Sequence, residues 1–118
     1  VATREAQSMF HFFGKSDAKV FNMKERLIEC GVTMDFSNST TDRYLFYWTN
    51  ISALPELDLS SATTLYGAFG YNYLLESIDK IILSDKCAEL GVAFDKCTAL
   101  KNIKFDGTIA SDVGAGAS

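Results

Sequence analysis

Two aspartates have the residue type and spacing that acid–base or metal chemistry needs. Asp35 and Asp58 are 23 residues apart, and each follows a large apolar residue. On adjacent parallel strands, two such carboxylates would lie about 4.8 Å apart. That separation suits the nucleophile and acid of a retaining glycosidase, or a divalent cation. A flat solvated sheet leaves both carboxyl groups near their ordinary pKa values, so we favour a solvated polar surface over catalysis.

Three serines recur at the end of the same short pattern and could supply a nucleophilic hydroxyl. They are Ser37, Ser60 and Ser84. A serine nucleophile needs a base within hydrogen-bond reach, and the one histidine, His11, lies outside this pattern. We therefore expect no enzyme activity, and we predict small hydroxyl groups that keep a binding surface accessible.

The cysteine and histidine content argues against a metal centre. Cys30, Cys87 and Cys97 are widely spaced, form no C-x-x-C pair and have only one histidine to complement them, so zinc ligands at workable spacing are missing. An odd number of cysteines rules out a full disulfide framework and leaves the redox compartment undecided. We expect buried free thiols, and we predict no metal and no cofactor.

Composition and charge describe one ordinary globular domain. The chain has 118 residues, of which 47% are hydrophobic and 22% are charged, so one folded unit is expected. Its net charge of −4 argues against a nucleic-acid partner, because phosphate binding needs clustered lysine and arginine. No run approaches the roughly 18 apolar residues that cross a bilayer, so membrane insertion is not predicted.

A short apolar pattern, L-x-x-L-x-L followed by a polar residue, recurs at steps of 22 to 24 residues. It occupies Leu54–Ser60, Ile78–Ser84 and Leu100–Asp106, with a weaker copy at Gly31–Ser37. Apolar residues that alternate with polar ones indicate strands buried on one face. Similar steps indicate that each strand lies parallel to the previous one, with the chain returning outside the sheet. Four strands are predicted, near residues 33–37, 56–60, 80–84 and 102–106.

The segments between the predicted strands also repeat. Ala-Phe follows a leucine and a glycine in Leu65–Phe69 and in Leu90–Phe94, and Tyr44-Leu45-Phe46 occupies the same place earlier. A phenylalanine that stacks on its equivalent in the next segment would bury a large apolar area. A spine of three stacked rings is predicted, formed by Phe46, Phe69 and Phe94.

The segment that leads into each predicted strand has a characteristic form. Ala93–Leu100 fits A-F-x-x-C-x-x-L at every fixed position, and Ala68–Leu75 fits it with Asn72 in place of the cysteine. Over roughly residues 33 to 109, the chain resembles the BspA-like leucine-rich repeats. The resemblance implies an α/β solenoid, a right-handed superhelix with a short parallel β-sheet, mostly irregular convex connections and an N-terminal helical cap. It also implies surface recognition by bacteria or their phages, at the cell surface or outside the cell.

Three parts are predicted along the chain. They are an N-terminal helical cap at residues 1–31, leucine-rich repeats at residues 32–109 and a flexible tail at residues 110–118. In the cap, Ser16 or Asp17 is placed to begin a helix over about residues 18 to 30, and Gly31 is placed to end it. The last strand would leave one sheet edge exposed. We expect either that further repeats follow or that two copies form a homodimer through this C-terminal edge.

The predicted binding surface combines outward strand positions with nearby aromatic residues. In equal register, the outward side chains form two rows. The rows are Asp35, Asp58, Ile82 and Lys104, and then Ser37, Ser60, Ser84 and Asp106. The aromatic candidates are Tyr47, Trp48, Tyr71 and Tyr73. Such rings suit a glycan or protein partner, although in a solenoid the same rings can instead cover the core between repeats.

These observations predict a non-catalytic module that recognises a protein or a glycan in bacterial surface or phage-associated adhesion. The alternative is a structural spacer repeat within a larger surface or virion protein. Because fold does not fix function, the choice between them depends on the surface. Exposed aromatic residues that converge with the strand rows favour binding, and a scattered polar surface favours the spacer.

Overall fold

The computed structural model describes residues 20–107 and shows an α/β fold. Four parallel strands form one sheet in the order β1-β2-β3-β4, with one helix. The elements are β1 (Phe21–Asn22), α1 (Met23–Cys30), β2 (Ile51–Asp58), β3 (Ser77–Leu83) and β4 (Asn102–Gly107). Most of the predicted cap before the helix, including His11, and the predicted tail lie outside the described residues.

Helix α1 begins later than predicted because the residues before it belong to the sheet. The amide of Phe21 donates to the carbonyl of Asn50 at 3.0 Å, which holds β1 against β2. The helix is then capped by the side chain of Asn22, which accepts a hydrogen bond from the amide of Glu25 at 3.0 Å. Ser16 and Asp17, the predicted capping residues, lie outside the described residues. The predicted end is confirmed, since the residue at 31 is a left-handed glycine with φ 66°.

Strands β2 and β3 pair in the register that the 24-residue step predicts. Leu54 lies beside Ile78, and Leu57 lies beside Ile81. All four side chains are buried, so one face of this strand pair is the core face. Both strands begin a few residues earlier than predicted, because hydrogen bonding starts before the apolar pattern does.

The predicted register of the last strand is wrong by three residues at its start, where Ile78 pairs with Ile103, and by two at its end, because a β-bulge lies between Ile78 and Ile81. Ile82 pairs with Asp106, whereas the sequence pattern places Lys104 there. At the end of the pair Gly107, at φ 94°, lies beside Leu83, and a Cβ atom on it would lie 1.9 Å from the carbonyl oxygen of Leu83. Only glycine permits this approach of the two backbones, so Gly107 fixes the position of β4.

Residues 33–37 do not form the predicted first strand. Asp35 makes a single bridge, and its carboxylate then accepts hydrogen bonds from the amide of Ser37 at 2.9 Å and from the Ser37 hydroxyl. This arrangement turns the chain. The place beside β2 is taken by β1, in which Phe21 pairs with Ile51.

The predicted phenylalanine spine is confirmed. The rings of Phe46 and Phe69 are stacked with centroids 5.9 Å apart and an interplanar angle of 15°. Phe69 and Phe94 are stacked at 5.2 Å and 6°. Phe36 and Phe105 meet the two ends of this stack edge-on. The stack and the buried strand residues form one continuous core.

The segments between the strands lie side by side and are hydrogen-bonded to one another. We call residues 41–48, 64–71 and 89–96 the connecting segments. Alternate amides of one connecting segment donate to carbonyls of the next. The donor and acceptor pairs include Tyr44 and Tyr66 (2.9 Å), Phe46 and Ala68 (2.7 Å), Trp48 and Gly70 (2.8 Å), Leu65 and Glu89 (2.8 Å), and Phe69 and Ala93 (2.8 Å). This second ladder holds equivalent residues of successive segments next to each other.

The three thiols differ in exposure. All three cysteines lie within residues 20–107, and each is free. Cys87 is buried and Cys97 is half-buried, but Cys30 is exposed on α1, so the prediction of buried thiols is wrong for Cys30. Burial raises the pKa of Cys97 to about 11 and also raises the pKa of Cys87.

Candidate recognition surface

The predicted strand rows are only partly assembled. Across the sheet, Asp58, Ile82 and Asp106 are neighbours, whereas Lys104 lies outside this row. Asp35, Ser37 and Asp58 instead line a groove of about 610 Å³ between α1 and the start of the sheet. The exposed β4 residues Lys104 and Asp106 are not among the residues that line this groove.

The aspartates of the groove stabilise turns. The carboxylate of Asp58 accepts from the amide of Ser60 at 3.0 Å, as that of Asp35 does from Ser37. The two hydrogen bonds from Ser37 lower the pKa of Asp35 below its ordinary value. A catalytic acid needs the opposite shift, so this geometry supports a structural role for both groups.

Serine hydroxyls near the strand ends donate hydrogen bonds to backbone carbonyls. Ser84 Oγ donates to the carbonyl of Ser60 at 2.6 Å. One residue beyond Ser60, Ser61 Oγ donates to the carbonyl of Ser37. These bonds join consecutive turns at the ends of the strands.

All five tyrosines of the chain form one connected cluster. We call Tyr44, Tyr47, Tyr66, Tyr71 and Tyr73 the tyrosine cluster. The ring centroids are 5.0 Å apart for Tyr44 and Tyr47, 5.6 Å for Tyr44 and Tyr66, 5.4 Å for Tyr47 and Tyr71, and 6.2 Å for Tyr71 and Tyr73. Four of these residues belong to connecting segments, so the backbone ladder gathers the rings.

Glycines of one connecting segment make room for tyrosines of the previous one. A Cβ atom on Gly67 would lie 2.6 Å from ring carbons of Tyr44. The corresponding distances are 3.3 Å between Gly70 and Tyr47, and 2.9 Å between Gly91 and Tyr66. Each of these three rings therefore packs against bare backbone, which fixes the positions of the tyrosines.

The cluster lines a small, open cavity of about 220 Å³. Its walls include the rings of Tyr44, Tyr47, Tyr66 and Tyr71, and it is also lined by Gly70 and Asp95. Burial, together with the neighbouring tyrosines and Asp95, raises the pKa of the Tyr47 hydroxyl. The cavity thus combines aromatic rings with one carboxylate.

Two charged residues lie against the same surface. The guanidinium carbon of Arg43 is 4.8 Å from the ring centroid of Tyr66. Arg43 also forms an ion pair with Glu89 at 2.9 Å. A tyrosine ring of the cluster therefore already contacts a cation through its face.

Three of the four predicted aromatic candidates come together, and the predicted site residues left out part of the surface. Tyr47, Tyr71 and Tyr73 are in ring contact, and Trp48, which follows Tyr47 in the chain, is 47% exposed. Tyr44, Tyr66 and Asp95 were not among the predicted site residues. The glycine that stands opposite each tyrosine in the next connecting segment is the sequence signal that finds the first two.

Asp42 is a buried carboxylate at the first connecting segment. Its Oδ1 accepts a hydrogen bond from the hydroxyl of Ser39 at 2.6 Å, and both residues are fully buried. Among residues 20–107, its Oδ2 has no hydrogen-bond partner. Burial therefore raises the pKa of Asp42 to about 6.

No protein-family model, curated protein or solved structure matches the chain. Within residues 20–107, His, Cys, Asp and Glu form no group of three or more that could hold a metal ion. In the same part of the chain, no helix has the length and apolar character needed to cross a membrane.

Proposed function

We propose that this protein is a non-catalytic recognition module that binds a protein or glycan partner through the tyrosine cluster. The observation that carries the proposal is the convergence of all five tyrosines on one surface. Tyrosine offers a large rigid apolar area and a polar hydroxyl, which is why it is enriched at binding surfaces. Tyr73 and Trp48, which are 49% and 47% exposed, supply accessible aromatic area.

A solenoid of the BspA-like leucine-rich-repeat class is the architecture that we propose for the module. The parallel sheet and the ladder between connecting segments support it. Two equivalent hydrogen bonds in successive repeats also support it. Asn72 Nδ2 donates to the carbonyl of Phe46 at 2.6 Å, and Cys97 Sγ donates to the carbonyl of Phe69 at 2.8 Å. Asn72 stands where the repeat has cysteine. From the resemblance to this class we also propose a role in adhesion at a bacterial or phage surface, at or outside the cell.

The test is binding of the fluorescently labelled protein to a glycan array and to intact bacterial and animal cells. We expect specific binding to one class of glycan or cell, reduced at least tenfold by the Trp48→Ala and Tyr73→Ala variants. Lys86→Ala, which removes another exposed side chain, is the matched control and should bind normally. A lack of binding to every glycan and cell, or equal binding by all variants, contradicts the proposal.

A structural spacer is the second candidate, and the end of the sheet favours it. An apolar cavity of about 280 Å³ lies there, lined by residues that include Leu83, Leu90, Phe94 and Phe105. Phe105 is 55% exposed, so a further repeat or the β4 edge of a second copy would bury it.

Sedimentation velocity tests whether two copies form a homodimer through this edge. A concentration-dependent dimer that Phe105→Asp abolishes supports it, and a monomer at all concentrations excludes it.

A further inference from the structure

We infer that the tyrosine cluster is an aromatic cage for a quaternary ammonium group of the choline type, with Asp95 as its counter-charge. The inference rests on the proposed recognition role of the cluster and names the chemistry of the ligand. The structural basis is the cavity walled by Tyr44, Tyr47, Tyr66 and Tyr71.

The rings are oriented as the walls of a cage. Tyr44 is nearly perpendicular to Tyr47, with an interplanar angle of 77°, and to Tyr66, with an angle of 86°. Tyr47 and Tyr71 are stacked at an interplanar angle of 30° and form one side of the cavity. Because Tyr44 is nearly perpendicular to Tyr47, the rings face a ligand from more than one direction. Gly70 also lines the cavity. A Cβ atom there would lie 3.3 Å from the Tyr47 ring, so glycine keeps the space between the rings open.

The electrostatics favour a cation over a neutral or anionic ligand. The face of a tyrosine ring carries negative potential, and cations bind it within about 6 Å of the centroid. Arg43 already does so at Tyr66. Asp95 adds a carboxylate to the cavity lining, and the chain as a whole carries a net charge of −4.

Size and hydration select a quaternary ammonium group among cations. The cavity of about 220 Å³ is smaller than the roughly 300–1,000 Å³ of pockets for drug-sized ligands, so it suits a headgroup. A primary ammonium is a compact, strongly hydrated charge that needs hydrogen-bond acceptors. A trimethylammonium group has methyl groups in place of N–H donors, so aromatic walls match its surface.

Isothermal titration of the full chain with choline chloride tests the cage. We expect saturable binding, and at least tenfold weaker binding of 3,3-dimethylbutan-1-ol, which has the same shape but no charge. Tyr71→Leu and Asp95→Asn should each weaken choline binding about fivefold, the equivalent of about 1 kcal/mol. Tyr71→Phe keeps the ring and should bind within about twofold of the unmodified protein.

Lys86→Ala provides the control, because Lys86 is exposed and does not line the cavity. It should leave choline affinity unchanged. Thermal denaturation of each variant shows that loss of binding is not loss of folding. Equal binding of choline and its neutral analogue overturns the cage, as does saturable binding that neither Tyr71→Leu nor Asp95→Asn weakens.

The source of the headgroup is distinguished by two further probes. Soluble phosphocholine represents a headgroup carried by a glycan, and phosphatidylcholine vesicles represent one carried by a lipid. Binding to either supports the cage and identifies the source. Absence of choline binding by a protein that still binds cells through Trp48 and Tyr73 overturns the cage alone. Loss of both activities overturns the recognition role as well.

Discussion

Replacing Asn72 with alanine removes an amide that joins two connecting segments. The Asn72 side chain is buried, and its Oδ1 accepts hydrogen bonds from the amide of Thr49 at 2.8 Å and from the Thr49 hydroxyl. Its Nδ2 donates to the carbonyls of Phe46 at 2.6 Å and Phe69 at 2.7 Å. Alanine can replace none of these four hydrogen bonds.

The size of the effect follows from the groups that are left without a partner. A buried polar group that loses its hydrogen bond costs about 1–3 kcal/mol, and the small cavity adds to this cost. Because the Thr49 hydroxyl can reorient, we expect Asn72→Ala to lower the free energy of unfolding by about 3 kcal/mol. For a domain of this size, that change lowers Tm by roughly 10–20 °C.

Substitution of Asn72 with cysteine distinguishes the loss of hydrogen bonds from the general effect of a substitution in the core. Cys97 occupies the equivalent position and donates to the carbonyl of Phe69 at 2.8 Å, so Asn72→Cys should retain one of the four bonds. We expect a loss of about 1–2 kcal/mol, measured by urea denaturation followed by circular dichroism. The exposed control Lys86→Ala should change stability by less than about 0.5 kcal/mol. A loss below about 1 kcal/mol for Asn72→Ala, or a cysteine variant no more stable than the alanine variant, would refute the reasoning.

Three further predictions concern buried charge, backbone conformation and thiol reactivity. Burial raises the pKa of Asp42 to about 6 from its ordinary 3.8, so the protonated form is favoured in the folded state. The free energy of unfolding should fall by up to about 3 kcal/mol as pH rises from about 4 to about 6. Urea titrations at several pH values measure this fall, and Asp42→Asn should remove it. The same pH dependence in the variant would contradict the prediction. Gly67 has φ 63° and no room for a Cβ atom beside Tyr44, so Gly67→Ala should cost about 1–3 kcal/mol in thermal denaturation, and an unchanged Tm argues against the contact. With Ellman's reagent, exposed Cys30 should react well before Cys97, whose pKa burial raises to about 11; equal rates would show that Cys97 is accessible.

The pairing of β2 with β3 was predictable because the apolar spacing allows only one register that buries the large apolar side chains of both strands. The 24-residue step between Leu57 and Ile81 sets their register, because a shift of one residue would turn every buried side chain to solvent. The register of β4 was not predictable from alternation, because the β-bulge between Ile78 and Ile81 changes the shift from three residues to two along the strand pair. The close contact between Gly107 and the backbone of Leu83 is part of the observed register, and the sequence pattern gives no sign of it.

The aromatic surface was predictable in part for a similar reason. Phe46, Phe69 and Phe94 recur at steps of 23 and 25 residues, and this spacing predicted stacked rings because all three occupy one position of the repeat. Tyr44 and Tyr66, and Tyr47 and Tyr71, recur at similar steps of 22 and 24 residues, but glycines decide how their rings are placed. Tyr44 stands opposite Gly67, so the tyrosine cluster depends on pairs of unlike residues, which a search for repeated residues overlooks.

The central claim is that the connecting segments lie side by side and gather the five tyrosines on one accessible surface. Nuclear Overhauser spectroscopy of the protein labelled on its tyrosine rings, with a soluble paramagnetic reagent added in a second sample, tests this claim directly. The structure predicts cross-peaks between the rings of Tyr44 and Tyr66 and between those of Tyr47 and Tyr71, and strong broadening of the Tyr73 signals. Isolated tyrosine spin systems with no contact between segments, or rings that the reagent does not reach, would contradict it.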